Sequence, residues 1–90
     1  MDTAAHIVVK GFVQGIGFRY FVYTNAEKLS LTGYTRNLFN GDVEIEVEGD
    51  RSMIEELIKI VKVGPRSAHV SDITIEWTEP KHKYHQFFIR

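Results

Sequence analysis

A glycine-rich segment that ends in an arginine is the part of this sequence best suited to chemistry. Gly15 and Gly17 follow an apolar run and precede a segment with helical spacing, which predicts a strand, a tight loop and a helix. In that geometry the backbone N–H groups of the loop and the helix N-terminus point toward one spot, which suits an anion. Arg19 falls in the first helical turn, where its charge opposes the positive end of the helix dipole. A phosphate held between Arg19 and the loop would explain this placement, and we call residues 14–19 the anion loop.

An asparagine near the end of the second predicted strand is the expected companion of the anion loop. The first two strands are joined by a helix, so we expect them to run parallel and to end at the same end of the sheet. This topology brings Asn37 close to Arg19. An arginine can bind two phosphate oxygens as a fork, and an asparagine amide can hold a water. Because neither residue is a general base, the pair suits a phosphate with a good leaving group, such as the carboxylate of an acyl phosphate.

The spacing of apolar residues predicts seven elements that position these residues. They are strand 6–13 with an interruption at Gly11, helix 18–30, strand 31–38, strand 42–48, a helix between Asp50 and Gly64, strand 70–77 and strand 86–89. The dipeptide Asn40-Gly41 is typical of a tight hairpin turn. In strand 42–48 apolar residues alternate with acids, so we expect the acids to face water.

The order of these elements predicts the fold class. It is β-α-β-β-α-β with a short C-terminal strand, which indicates an α+β, ferredoxin-like two-layer sandwich. Two helices are expected on one face of an antiparallel or mixed sheet.

Composition limits the classes of function that the chain can have. Its 90 residues suit a single domain, 1–90. A net charge of −1 does not favour a nucleic acid or an anionic membrane as partner. The absence of cysteine excludes disulfides and thiol chemistry. No signal peptide or membrane-spanning run is found in the sequence, so a cytoplasmic location is expected.

Several segments of the chain resemble the acylphosphatase family. Residues 13–19, Val-Gln-Gly-Ile-Gly-Phe-Arg, resemble its first signature. The second signature of the family is resembled by residues 33–37 followed by 41–43 and Gly49. The family pattern also fits residues 64–65 and 88–90. The resemblance covers nearly the whole chain. It implies a small hydrolase without cofactor that converts acyl phosphates to a carboxylate and inorganic phosphate.

The resemblance also assigns roles to particular residues. It implies that Arg19 binds the substrate phosphate and that Asn37 orients the attacking water. The backbone amides that it assigns to the phosphate are those of Gly15, Ile16, Gly17, Phe18 and Arg19. Inorganic phosphate is then expected as product and inhibitor, and no metal, nucleic acid or membrane is expected as partner. We expect a monomer, although the short terminal strand leaves pairing with another chain open.

The chain departs from the family pattern at two turns. Ser30 stands where the family often has a glycine, and a left-handed serine there would cost about 1 kcal/mol of stability. Residues 38–40, Leu-Phe-Asn, replace the frequent Leu-Pro-Asp, which leaves the shape of the hairpin open.

Two other functions are compatible with the predicted fold. RNA-recognition domains share its element order, and residues 10–13 faintly match their Lys/Arg-Gly-Phe/Tyr signature. That signature belongs on the third strand, where the acids of this chain would repel a phosphate backbone. The second alternative is a regulatory domain that binds a phosphorylated metabolite without turnover. His82 and His85 lie close in sequence but have no third metal ligand at a recognisable spacing, so we expect them to be solvated.

Overall fold

The computed structural model describes all 90 residues and contains the seven elements in the predicted order. They are β1 (Asp2–Phe12), α1 (Phe18–Lys28), β2 (Thr32–Asn37), β3 (Val43–Asp50), α2 (Arg51–Val63), β4 (His69–Thr78) and β5 (Phe87–Ile89). Helix α1 ends at Lys28, before the predicted residue 30, and Ser30 has the left-handed φ of 58°. The interruption predicted at Gly11 is a shift of register in the pairing of β1 with β4. Neither helix has the length and hydropathy of a membrane span.

The sheet places three strand ends beside one another. Its order is β4-β1-β3-β2-β5. Strand β3 is antiparallel to both β1 and β2, so β1 and β2 run parallel with β3 between them. Strand β5 pairs with β2 in parallel. The C-terminal ends of β1, β2 and β5 therefore lie at the same end of the sheet, which we call the C-terminal end of the sheet.

The two helices cover one face of the sheet and form the core with it. Helix α2 has apolar residues at helical spacing, and four of these side chains are buried in the core beneath the sheet. The core residues include Phe18, Val22 and Ala26 of α1, Ile54, Leu57, Ile58 and Val61 of α2, Ile7 and Val9 of β1, and Val43, Ile45 and Val47 of β3. Burial of each large apolar side chain contributes roughly 1.5–3 kcal/mol. The α+β, ferredoxin-like sandwich predicted from the element order is confirmed.

Both ends of α2 have the predicted signals. The Asp50 carboxylate accepts a hydrogen bond from Ser52 N at 2.9 Å and caps the helix. Hydrogen bonds from the Ser52 side chain and the N-terminal amino group lower the pKa of Asp50 to about 2. Gly64, with φ of 73°, ends the helix, and its N–H donates to Ile60 O.

The acids of β3 are less exposed than the alternating pattern predicts. Glu44 and Glu48 are both buried, with 9% and 7% of their surface exposed. The connection between β4 and β5 crosses this face, where the N–H groups of Lys81 and His82 donate to Glu48 at 2.7 and 2.9 Å. Alternation predicted the correct face of each side chain. The expectation of solvated acids was wrong because β3 lies inside the sheet and other polar groups cover it.

The turn between β2 and β3 is longer than the tight turn predicted from Asn40-Gly41. Leu38 N donates to Asp42 O at 2.9 Å, which closes a loop of residues 38–42 that we call the hairpin loop. Within it the Asn40 side chain accepts a hydrogen bond from Asp42 N at 3.0 Å. This local bond is an alternative to the two-residue turn and explains the longer loop.

Candidate active site

A cavity of about 180 Å³ lies at the C-terminal end of the sheet. Its lining residues are Val13, Gly15, Gly17, Phe18, Arg19, Tyr20, Asn37 and Ile89. The fold thus brings Arg19 and Asn37 to one cavity, although α1 and most of β2 separate them in sequence. No carboxylate side chain lines the cavity, and Arg19 is its only basic residue. Its composition suits a small anion.

The anion loop has the backbone geometry that its glycines predict. Gly15 and Gly17 have φ of 76° and 81°, in the left-handed region where a side chain would strain the backbone. Gly17 is the N-cap of α1, and neither a side-chain cap nor an acid in the first turn neutralises this helix end. The helix N-terminus therefore keeps its positive potential beside the cavity.

The backbone N–H groups of the anion loop have no hydrogen-bond acceptors within the chain. Those of residues 15–19 donate to no other group of the protein, whereas Phe21 N already donates to Gly17 O at 3.0 Å. Four of these five residues line the cavity; Ile16 does not, and its side chain packs against the core. A set of backbone donors beside a helix N-terminus binds anions in many proteins.

Arg19 is half-buried and is held by the end of the terminal strand. Its Nη1 donates to the backbone oxygen of Arg90 at 2.7 Å. Arg90 N in turn donates to Thr35 O of β2 at 2.8 Å, which fixes the end of β5 beside the cavity. The other guanidinium N–H groups remain available to an anion. Sequence reasoning missed this contact, although the short C-terminal strand was a signal that the chain returns to the sheet.

Asn37 is the last residue of β2 and lies opposite Val43 of β3. Asn37 is exposed, and its side-chain amide makes no hydrogen bond within the chain. Both the donor and the acceptor of the amide are therefore available to a water or a ligand in the cavity.

Two apolar residues of the cavity were not predicted. Tyr20 and Ile89 both line it and are 63% and 44% exposed. Tyr20 follows Arg19 in the first turn of α1, and Ile89 ends β5, so the same two elements that hold Arg19 also supply an apolar wall.

The two histidines considered as metal ligands lie far from this cavity. His82 and His85 are exposed, as expected, and line a polar cavity of about 320 Å³ with Asp2, Ser30 and other residues near the N-terminal starts of β1 and β2. Although this cavity is larger, it contains no arginine or lysine and lies away from the glycine loop. No group of three or more His, Asp or Glu side chains is arranged to hold a metal ion.

The fold and the cavity define a class: ferredoxin-like α+β proteins with a glycine-rich loop of unpaired backbone N–H groups between the first strand and the first helix. The chain belongs to the acylphosphatase family, whose model matches residues 5–89. It is 44% identical over 89 residues to an acylphosphatase of Caldanaerobacter subterraneus subsp. tengcongensis, with 99% of each chain covered. The chain is thus an enzyme of the class that hydrolyses acyl phosphates.

Solved structures of acylphosphatases have the same fold. The crystal structure of acylphosphatase from Bacillus subtilis matches with a TM-score of 0.94 and 37% identity, covering 100% of this chain and 99% of that one. An acylphosphatase from Coxiella burnetii matches with a TM-score of 0.90 and 40% identity, covering 99% and 93%.

Proposed function

We propose that the chain hydrolyses acyl phosphates without a metal ion and that the reaction takes place in the 180 Å³ cavity. The observation that carries this proposal is the set of unpaired backbone N–H groups of residues 15–19, which lie with the Arg19 guanidinium at a cavity that has no acidic side chain in its lining. Residues 1–90 then act as a single catalytic domain.

The phosphate group is bound by the anion loop. Backbone N–H groups of residues 15–19 donate to its oxygens, and the guanidinium of Arg19 donates through the N–H groups that Arg90 does not use. Hydrogen bonds from charged or oriented donors strengthen as charge develops on these oxygens in the transition state. Inorganic phosphate has the same oxygens, so it competes with substrate for this site.

Asn37 orients the attacking water. The water oxygen attacks phosphorus, the bond from phosphorus to the acyl oxygen breaks, and the carboxylate leaves with that electron pair. The proton of the water passes to a phosphate oxygen, because no carboxylate or histidine lines the cavity to accept it. A carboxylate is a stable leaving group, so the reaction needs no general acid. Positioning and charge stabilisation are then sufficient for catalysis.

Hydrolysis of benzoyl phosphate in the presence of a chelator tests the proposal. The wild type should turn over, and Asn37→Ala should lower kcat by about 10²–10³-fold, because the water loses its partner. The inhibition constant of inorganic phosphate should change by less than about threefold, since the phosphate donors are intact. Asn25→Ala is the matched control, because Asn25 bonds Phe21 O within α1 and does not line the cavity.

Three results would contradict the proposal in different ways. Loss of activity with chelator and its return with a metal would show a metal-dependent mechanism. Phosphate binding without hydrolysis would favour the regulatory alternative. Equal losses of kcat and phosphate affinity in Asn37→Ala would assign Asn37 to binding or to structure.

A further inference from the structure

One side chain connects the two halves of the candidate active site. Gln14 begins the anion loop and is half-buried, but it does not line the cavity. Its Nε2 donates to the backbone oxygens of Leu38 at 2.7 Å and Asp42 at 2.8 Å. These two residues are the ends of the hairpin loop, and Leu38 directly follows Asn37. Both N–H groups of the primary amide are therefore used on the segment that carries Asn37.

The pairing of the sheet reaches Asn37 but does not extend into the hairpin loop or the anion loop. The pairing of β1 with β3 ends at Val9 and Val43, and the pairing of β2 with β3 ends at Asn37 and Val43. Beyond these pairs, the bonds from Gln14 are the only hydrogen bonds between the anion loop and the hairpin loop. The nearest other link is an ion pair between Lys10 and the Asp42 side chain, which comes from the strand before the loop.

We propose that Gln14 is a positioning residue that sets the distance between the phosphate-binding amides and the Asn37 amide. This inference rests on the proposed function. Gln14 touches neither phosphate nor water; it acts through Asn37. A displacement of about 1 Å between reacting groups can cost as much as 10²-fold in rate. Loss of the two bonds from Gln14 is thus expected to lower kcat and to leave phosphate binding nearly unchanged.

Gln14→Met tests this role, because methionine has a similar length and no charge but no N–H donor. We expect kcat for benzoyl phosphate to fall by about 10–100-fold. The inhibition constant of inorganic phosphate should stay within about threefold of the wild-type value. The matched control is Gln86→Met, since the Gln86 side chain is exposed and makes no hydrogen bond. Gln14 and Gln86 are the only glutamines of the chain.

A double variant separates positioning from a general loss of structure. If Gln14 acts through Asn37, then Gln14→Met combined with Asn37→Ala should be no slower than Asn37→Ala alone. An unchanged kcat in Gln14→Met overturns the proposal. A parallel loss of kcat and phosphate affinity, or additive losses in the double variant, also overturns it.

A second variant keeps the test decisive if Gln14→Met unfolds. In Gln14→Glu the ionised carboxylate has no donor, but the protonated carboxyl has one O–H that can bond Leu38 O or Asp42 O. Its kcat relative to wild type at the same pH should therefore rise as the pH is lowered toward about 5. A ratio that stays constant with pH overturns the proposal. Retention of full kcat in Asn37→Ala would instead contradict the role proposed for Asn37 itself, whatever the result at Gln14.

Discussion

Arg36 and Arg19 differ in whether an acidic side chain of the protein is bonded to the guanidinium. Arg36 lies on the open face, the sheet face opposite the helices that carries His6, Tyr34, Arg36 and Glu44. Its Nε donates to the Glu44 carboxylate, which also lies 2.7 Å from His6 Nε2 and 3.3 Å from Tyr34 OH. Arg19 lines the cavity, where no acidic side chain is present, and its one hydrogen bond is to the Arg90 oxygen.

The difference separates a charge that is paired within the protein from one that, in our proposal, binds the substrate phosphate. Burial alone would raise the pKa of Glu44. The hydrogen bonds from His6 and Arg36 together outweigh burial, so the pKa of Glu44 is lowered. Burial and the nearby Glu44 and Glu46 raise the pKa of Tyr34 to about 12. Near neutral pH Glu44 is therefore ionised and Tyr34 is neutral, and both are hydrogen-bonded within the open face. The cavity instead keeps donors that have no partner within the protein and are free to bind water or a ligand.

The largest expected effect is the difference in kcat/KM between two single variants, Arg19→Lys and Arg36→Lys. Lysine keeps the charge but loses the planar fork that can hold two phosphate oxygens. We expect Arg19→Lys to lower kcat/KM for benzoyl phosphate by about 10²–10³-fold. Arg36→Lys should leave kcat/KM within about twofold, because Arg36 points away from the cavity. Steady-state kinetics of both variants in the same buffer measures the contrast.

Equal kinetics for the two variants would remove the distinction between the regions. Wild-type activity in Arg19→Lys would mean that the backbone amides suffice for the phosphate. A large loss in Arg36→Lys would mean that the open face acts on the cavity through β2, where Arg36 and Asn37 are adjacent.

The cavity was largely predictable because its signals are local. Gly15, Gly17 and Arg19 lie in one short segment, and strand order alone placed Asn37 at the same end of the sheet. Glycines with positive φ and a helix N-terminus need no distant contact to take their shape.

The open face was less predictable because its contacts are long-range. The alternation in β3 shows which side each acid faces but not what covers it. Glu44 meets His6 of β1 and Arg36 of β2, and Glu48 meets the backbone of the connection after β4. The hydrogen bonds from Gln14 and Arg19 to distant backbone oxygens are also long-range. They could not be predicted, because every residue has a backbone oxygen and no residue type indicates which one accepts.

A smaller effect is expected from the open face, and on stability only. Glu44→Gln keeps the shape but removes the charge that His6 and Arg36 share. Because Arg36 and His6 are partly exposed, we expect a loss of about 1–2 kcal/mol in the free energy of unfolding. Urea denaturation measures it, and kcat should remain within about twofold of wild type. A drop in kcat with unchanged stability would reverse the roles given to the two regions.

The smallest expected effect is a dependence on pH. It concerns the difference in the free energy of unfolding between wild type and Glu44→Gln. The folded pKa of Glu44 is lowered below its ordinary value of 4.5, so its contribution is complete above 4.5 and is lost as the pH falls through the lower folded value. The gap between wild type and Glu44→Gln in urea midpoints should therefore narrow on acidification below 4.5. Asp50, whose pKa is about 2, loses its contribution in the same direction in both proteins and so cancels from the comparison. A gap that is constant or widens with acid would mean that packing, rather than the Glu44 charge, stabilises the open face.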